Sequence, residues 1–357
     1  MERILHGKMP SRGFTMSRSG LCIAAIVAAV TAAPAAAHHS YIEFDQQSTI
    51  EIEGTLVGAA WQNPHSRLTV AGADGARWDI ESTSVNGLRR AGAPLELFAV
   101  GSKVKVAGWP STKAKSRLFG TNILSAGGQE LILFRAPPRW GPGAVGLDRQ
   151  TLAAAVPAGS ATVFRTWGSA YARPGIPDDP DASPGALARV PLPLTEVARQ
   201  ALAGFDPVKY NMSMGCSPKS MPSVMGVPSP MDFLQRGESI LLRIEEFDAV
   251  RTIHMDSREA PAAQPKTPLG YSVGRWEGET LVVETGNLGA AYLRPGVPLG
   301  PSASFVERFT PSADGSRLHY TVLMTDPYSL TQPVEQKRSW IAVDEQVMPY
   351  NCKLQGN

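Results

Sequence analysis

Ile50-Glu-Ile-Glu-Gly-Thr-Leu-Val57 alternates apolar and polar side chains, the signature of a strand with one buried and one wet face. Three more runs of the same kind come after it: Arg67-Leu-Thr-Val70, Arg77-Trp-Asp-Ile80 and Gly101-Ser-Lys-Val-Lys-Val-Ala-Gly108. Between the third and fourth runs, Ser84-Val-Asn-Gly-Leu-Arg-Arg-Ala91 supplies a capping serine and a turn or two of helix. The last run, Thr121 to Phe134, is broken by a Gly127-Gly128 turn. Strand, strand, strand, helix, strand, strand is the order of a five-stranded OB-type barrel, expected over residues 38–135.

Downstream, Pro137, Pro138 and Pro142 break regularity, and residues 136–190 are rich in Ala, Gly and Pro, as a linker would be. One strand inside that stretch, Ala161-Thr-Val-Phe-Arg-Thr-Trp167, reads as part of the domain beyond it. Residues 191–357 form that second domain. Pro193 to Ala203 has a threonine cap, helical spacing and a terminating Gly204. Strands then succeed one another: 240–247, 250–255, 271–276, 280–284, 304–309, 318–324 and 336–343, with turns such as Glu277-Gly278 and Asp314-Gly315 between them. Seven or more antiparallel strands must close or stack to protect their edges, so the expected fold is all-β: an OB-like barrel followed by an antiparallel β-meander or barrel with minor helix.

Upstream of the first strand lies an export signal. Arg12 and Arg18 provide a positive start, Leu21 to Ala33 an apolar stretch, and Ala35-x-Ala37 the small residues of a cleavage site. That stretch is shorter than the roughly 20 residues a spanning helix needs. Residues 1–37 therefore read as a signal peptide and the protein as periplasmic or secreted. The leader holds four basic residues (Arg3, Lys8, Arg12, Arg18) and Glu2, so the chain's 34 basic and 32 acidic groups become 30 and 31 after cleavage. A near-neutral mature chain has no electrostatic footprint for nucleic acid.

Of three cysteines, Cys22 falls in the leader, and Cys216 and Cys352 survive. In an oxidising compartment an isolated, distant pair reads as a structural disulfide; a metal–thiolate pair is the alternative, although neither lies in a C-x-x-C spacing.

Cleavage after Ala37 leaves His38 as the first residue, followed by His39. A free α-amine and the imidazole of one N-terminal residue can hold a metal ion together. His65, in Trp61-Gln-Asn-Pro-His65 on the first inter-strand loop, would add a third nitrogen and complete the planar set that Cu(II) prefers. Copper is the expected cofactor, with His38, His39 and His65 as candidate ligands.

Beyond these local readings, the segments His38-His39-Ser40-Tyr41, Phe44-Asp45, Gly54-Thr55, Trp61-Gln-Asn-Pro-His65 and Trp78-Asp-Ile-Glu81 resemble a family of exported bacterial proteins of unknown function, the DUF6152 group. The second half is similar to an equally uncharacterised partner region through Cys216-Ser-Pro218, Ile253-His-Met-Asp256, the run Gly270 to Thr285, Glu307-Arg-Phe309 and Thr325-Asp-Pro-Tyr328. The resemblance implies export and a shared design, and brings no activity. That partner pattern would place histidine where this chain has Tyr271 and near Ala260, so any role of those histidines does not carry over.

Two other function classes compete with metal binding. The second barrel would suit a small apolar or amphipathic ligand. Alternatively, Asp256, Glu277, Glu279, Glu284 and Asp326 near strand ends could serve an envelope enzyme by acid–base work, although no nucleophile–base spacing accompanies them and Ser272 lacks a glycine elbow. Lys103, Lys105, Lys113, Lys115 and Arg117 cluster around the fourth strand, where edge lysines that discourage sheet aggregation account for them.

Overall fold

In the computed structural model, residues 43–73, 75–134, 136–146, 161–169, 191–206, 216–256, 263–289 and 292–353 are described. The first barrel is built from β1 (Ile50–Ala60), β2 (Arg67–Gly72), β3 (Arg77–Glu81), β4 (Lys103–Pro110) and β5 (Arg117–Ser125). β1 pairs with β4 through its first half and with β2 through its second, the two partners overlapping at Gly54 and Thr55. A parallel pairing of β3 with β5 closes the ring (Asp79↔Arg117, Ile80↔Leu118, Glu81↔Phe119), which makes it an OB-type barrel. The alternation read from the sequence sends Ile52, Leu56, Leu68, Val70, Ile80, Val106, Leu118 and Ile123 into its core. Helix α1 (Val85–Arg90) starts where expected, with the Ser84 hydroxyl accepting from the Gly87 amide at 3.3 Å, and adds Leu88 to the core.

Gly54 shows why β1 can change partners. A Cβ there would lie 2.1 Å from the Ala71 carbonyl oxygen and 2.7 Å from Val70 Cγ1. Gly54→Ala is therefore expected to cost about 1–3 kcal/mol by overpacking, read as a lower urea midpoint at constant slope; an unchanged midpoint would show that β2 shifts freely.

β6 (Glu130–Ile132) and β7 (Val145–Gly146) extend the first sheet beyond β5. The second barrel closes nine strands in the order β10-β11-β12-β13-β16-β17-β18-β8-β9. Their ranges are β8 Thr166–Gly168, β9 Met231–Arg236, β10 Ser239–Ile244, β11 Ala249–His254, β12 Tyr271–Glu277, β13 Thr280–Gly286, β16 Ser304–Pro311, β17 Arg317–Thr325 and β18 Val334–Ala342. Two short strands, β14 (Tyr292–Arg294) and β15 (Val297–Pro298), form a separate hairpin, and α2 (Glu196–Ala203) is capped by Thr195 and ended by Gly204.

Three features depart from a simple meander. β11 and β12 run parallel, because the connection over residues 255–270 is long enough to return the chain to the end it left. β9 lacks clean alternation, with Met231, Asp232 and Phe233 all buried, so no strand is expected there. β8, drawn from the Pro/Gly/Ala-rich stretch, joins β18 to β9 and completes the ring. Large side chains fill the interior, among them Trp167, Phe233, Phe305, Phe309, Tyr320 and Trp340.

Both barrels belong to one unit, Ala37–Asn357. The C-terminal segment after β18 runs between them, and a Cys216–Cys352 disulfide fastens it, with Cα atoms 5.7 Å apart. No helix among the described residues is long and apolar enough to cross a membrane.

Candidate functional site

Closure of the first barrel creates a charged cluster. Pairing β3 with β5 sets Arg117 beside two carboxylates of β3: its Nη1 donates to Asp79 Oδ2 at 3.0 Å and its Nη2 to Glu81 Oε2 at 2.8 Å. Arg67, at the start of β2, reaches Glu81 Oε2 at 3.5 Å. On the other side, Arg117 Nε lies 3.1 Å from Glu43 Oε1, which also accepts from the Ser111 hydroxyl at 2.7 Å. The Glu43 carbonyl accepts from the Thr112 amide at 2.8 Å, and Phe44 forms a bridge to Ser111, so these two residues lie against the β4–β5 connection.

His65 completes this cluster from the β1–β2 loop. Its Nδ1 lies 3.1 Å from the Ser82 carbonyl oxygen and 3.5 Å from Glu81 Oε1. A carbonyl only accepts, so Nδ1 is the protonated nitrogen and Nε2 the basic one in the neutral ring. Burial pushes Glu81 up to about 7; Arg67 and Arg117 pull it down, and the neighbouring Asp79 and Glu43 carboxylates reinforce the rise. The loops after β1 and β4, together with the β2–β3 face, are where OB barrels commonly take ligands.

The sequence signalled His65 but not its partners, because Glu81 and Arg117 lie 36 residues apart and meet only through closure. His38 and His39 lie outside the described residues. Among the described residues, no three His, Cys, Asp or Glu side chains form a group able to hold a metal ion.

A second polar constellation lies inside the nine-stranded barrel. Arg251 of β11 and Glu307 of β16 form an ion pair, 2.6 Å between Nη2 and Oε2, with the side chains 1% and 0% exposed. Arg251 Nη2 also donates to the Ser272 and Thr285 hydroxyls at 3.1 and 3.0 Å, and the Tyr320 hydroxyl donates to Glu307 Oε1 at 2.9 Å. Burial, seconded by Glu307, raises Tyr320 well above an ordinary phenol, so it stays protonated. Burial pulls Arg251 down, but Glu307 outweighs it and holds the guanidinium above its usual value. Arg338 of β18 donates to the Met225 and Val227 carbonyls, both at 2.8 Å, and stacks on Trp340; burial lowers it to about 10.

The carboxylates expected to do acid–base work do not converge. Glu277 and Glu284 lie on the outside of the barrel, paired with Arg308 and Arg275, and Arg308 holds Glu277 below the ordinary carboxylate value. Asp326 is buried and accepts from the Gly300 and Tyr328 amides. Ser272 sits in the Arg251 network. Lys105 is taken up by Glu51 and Glu53, at 2.9 and 3.2 Å, and Arg117 by the cluster above.

Fold and geometry define a class: two β-barrels, an OB-type one with a charged cluster at its closure and a nine-stranded one with a filled interior. Residues 25–119, which run through the first barrel to the start of β5, match the sequence model of a family of unknown function, DUF6152. No curated protein and no solved structure matches the chain.

Proposed function

We infer that this is an exported protein that binds copper through the amino-terminal histidine released by cleavage after Ala37, together with His65. The observation that carries this reading is the His65 ring, whose Nδ1–H is engaged by the Ser82 carbonyl and lies near Glu81. Histidines that ligate metals characteristically have their other ring nitrogen held by a carbonyl or carboxylate.

A second observation concerns reach. His39 precedes Glu43 by only four residues, and Glu43 is linked through Arg117 and Glu81 to His65. Arms of four and five residues span at most about 14 and 18 Å, a length that would let His39 and His38 reach this cluster. Amine, imidazole and His65 Nε2 would give three nitrogens, a set that suits Cu(II). A ligand inside the second barrel and an enzyme built on its carboxylates have no comparable arrangement among the described residues.

Cu(II) titration of protein beginning at His38 should show at least tenfold tighter binding than protein carrying one added N-terminal methionine, and than His65→Ala. Equal, weak uptake by all three would defeat the reading. Mass measurement of exported material is expected to place the first residue at His38; a start beyond His39 would also defeat it.

A further inference from the structure

The loop that carries His65 also grips the C-terminal strap. Asn63 Nδ2 donates to the Tyr350 carbonyl at 2.5 Å, and the Asn63 carbonyl accepts from the Lys353 amide at 3.2 Å. Asn63 Oδ1 accepts from the Asn86 amide at 3.4 Å, while Asn86 Nδ2 donates to the Pro349 carbonyl at 3.2 Å. Asn63 and Asn86 are 3% and 1% exposed, so these amides have left water and depend on the strap for partners.

From its other side the strap is held by the second barrel. Asp248 accepts from the Tyr350 and Asn351 amides at 2.8 and 3.3 Å, Glu245 accepts from the Met348 amide at 3.0 Å, and the Phe247 and Tyr350 rings lie 5.1 Å apart. Arg90 of α1 pairs with both Glu245 and Glu345. Cys352, bonded to Cys216, falls between the two strap residues that touch Asn63.

Backbone strain gathers at the same joint. Five non-glycine residues among those described have positive φ, and four of them are Cys216, Phe247, Asp248 and Asn351, at 51°, 58°, 52° and 47°. Such conformations persist only where surrounding contacts impose them. Both cysteines are partly exposed, within reach of a small reductant.

We propose that the Cys216–Cys352 disulfide positions the His65 loop through the strap and Asn63, so that its reduction by a dithiol loosens the loop and weakens the metal site on the first barrel. One thiolate of the dithiol attacks a sulfur of the bridge, and its second thiol closes a cyclic disulfide. Cys216 and Cys352 leave as thiols, having gained two electrons and two protons from the dithiol. The effect on metal rests on the copper reading above; the coupling of strap to loop does not.

Hydrogen exchange, measured without metal, tests the coupling in oxidised protein, in dithiothreitol, in the Cys216→Ser/Cys352→Ser double variant, and in Asn86→Ala, which keeps the disulfide and loses one strap contact. Amides of Gln62, Asn63, His65 and Ser66 are expected to exchange several-fold faster in the last three samples, while those of β1 around Leu56 stay protected. Cu(II) affinity of the double variant and of Asn86→Ala should fall several-fold below that of oxidised protein. Unchanged exchange at those four amides would overturn the coupling, and faster exchange with unchanged Cu(II) affinity would overturn redox control of the site. Absence of Cu(II) binding even in oxidised protein would instead overturn the copper reading, with the exchange result still deciding the coupling.

Discussion

Arg251→Ala should lower the stability of the fold by about 3–5 kcal/mol, because it leaves the Glu307 carboxylate buried without its cation. Glu307→Ala strands Arg251 equally and should cost a similar amount. A double change, Arg251→Met with Glu307→Leu, removes both charges and is expected to recover most of the loss, since replacing a buried pair by apolar groups is often neutral or favourable. Urea unfolding of the three variants measures this. Single variants that lose less than about 1 kcal/mol would mean that water reaches the pair and that the interior is less dry than its packing shows.

Raising the pH from 4 to 8 should remove about 3 kcal/mol of stability through Glu81 alone, the difference between about 7 when folded and an ordinary carboxylate when unfolded. Proton counting gives the sign. Between roughly pH 4.5 and 7 the folded carboxyl keeps a proton that the unfolded chain has released, so its contribution is complete below that window and is lost as pH rises through about 7. Glu81→Gln has no proton to lose, and the difference between its stability–pH curve and that of the parent isolates the effect. Parallel curves would show that Arg67 and Arg117 keep Glu81 ionised throughout.

Much of the architecture was legible in the chain. Period-two alternation in the runs that became β1, β10, β16 and β17 shows directly which side chains face a core, because the pleat sends neighbours to opposite faces. Ser84 and Thr195 announced their helices through the same hydroxyl-to-amide bond that the structure contains. β9 escaped because three successive buried residues carry no period. The parallel β11–β12 pairing escaped because alternation is blind to strand direction.

The site was legible only in part. Asn63-Pro-His65 stood out as a loop that presents an imidazole, yet the same loop's grip on Tyr350 spans 287 residues and left no local trace. Arg251 and Glu307 share the inward parity of Ala249, Ile253, Phe305 and Phe309, yet their charge reads as wet; they are dry because seven other strands close around them and each supplies the other's partner.

What the residue order settled, then, was local: strand period, helix caps, the two distant cysteines and the histidine-bearing loop, each a matter of neighbours within a few bonds. Ring closure settled the rest. It brought Arg117 to Glu81 and Arg251 to Glu307, and laid the C-terminal strap over Asn63, since the energy of a charge or amide removed from water depends on partners that only distant chain segments supply.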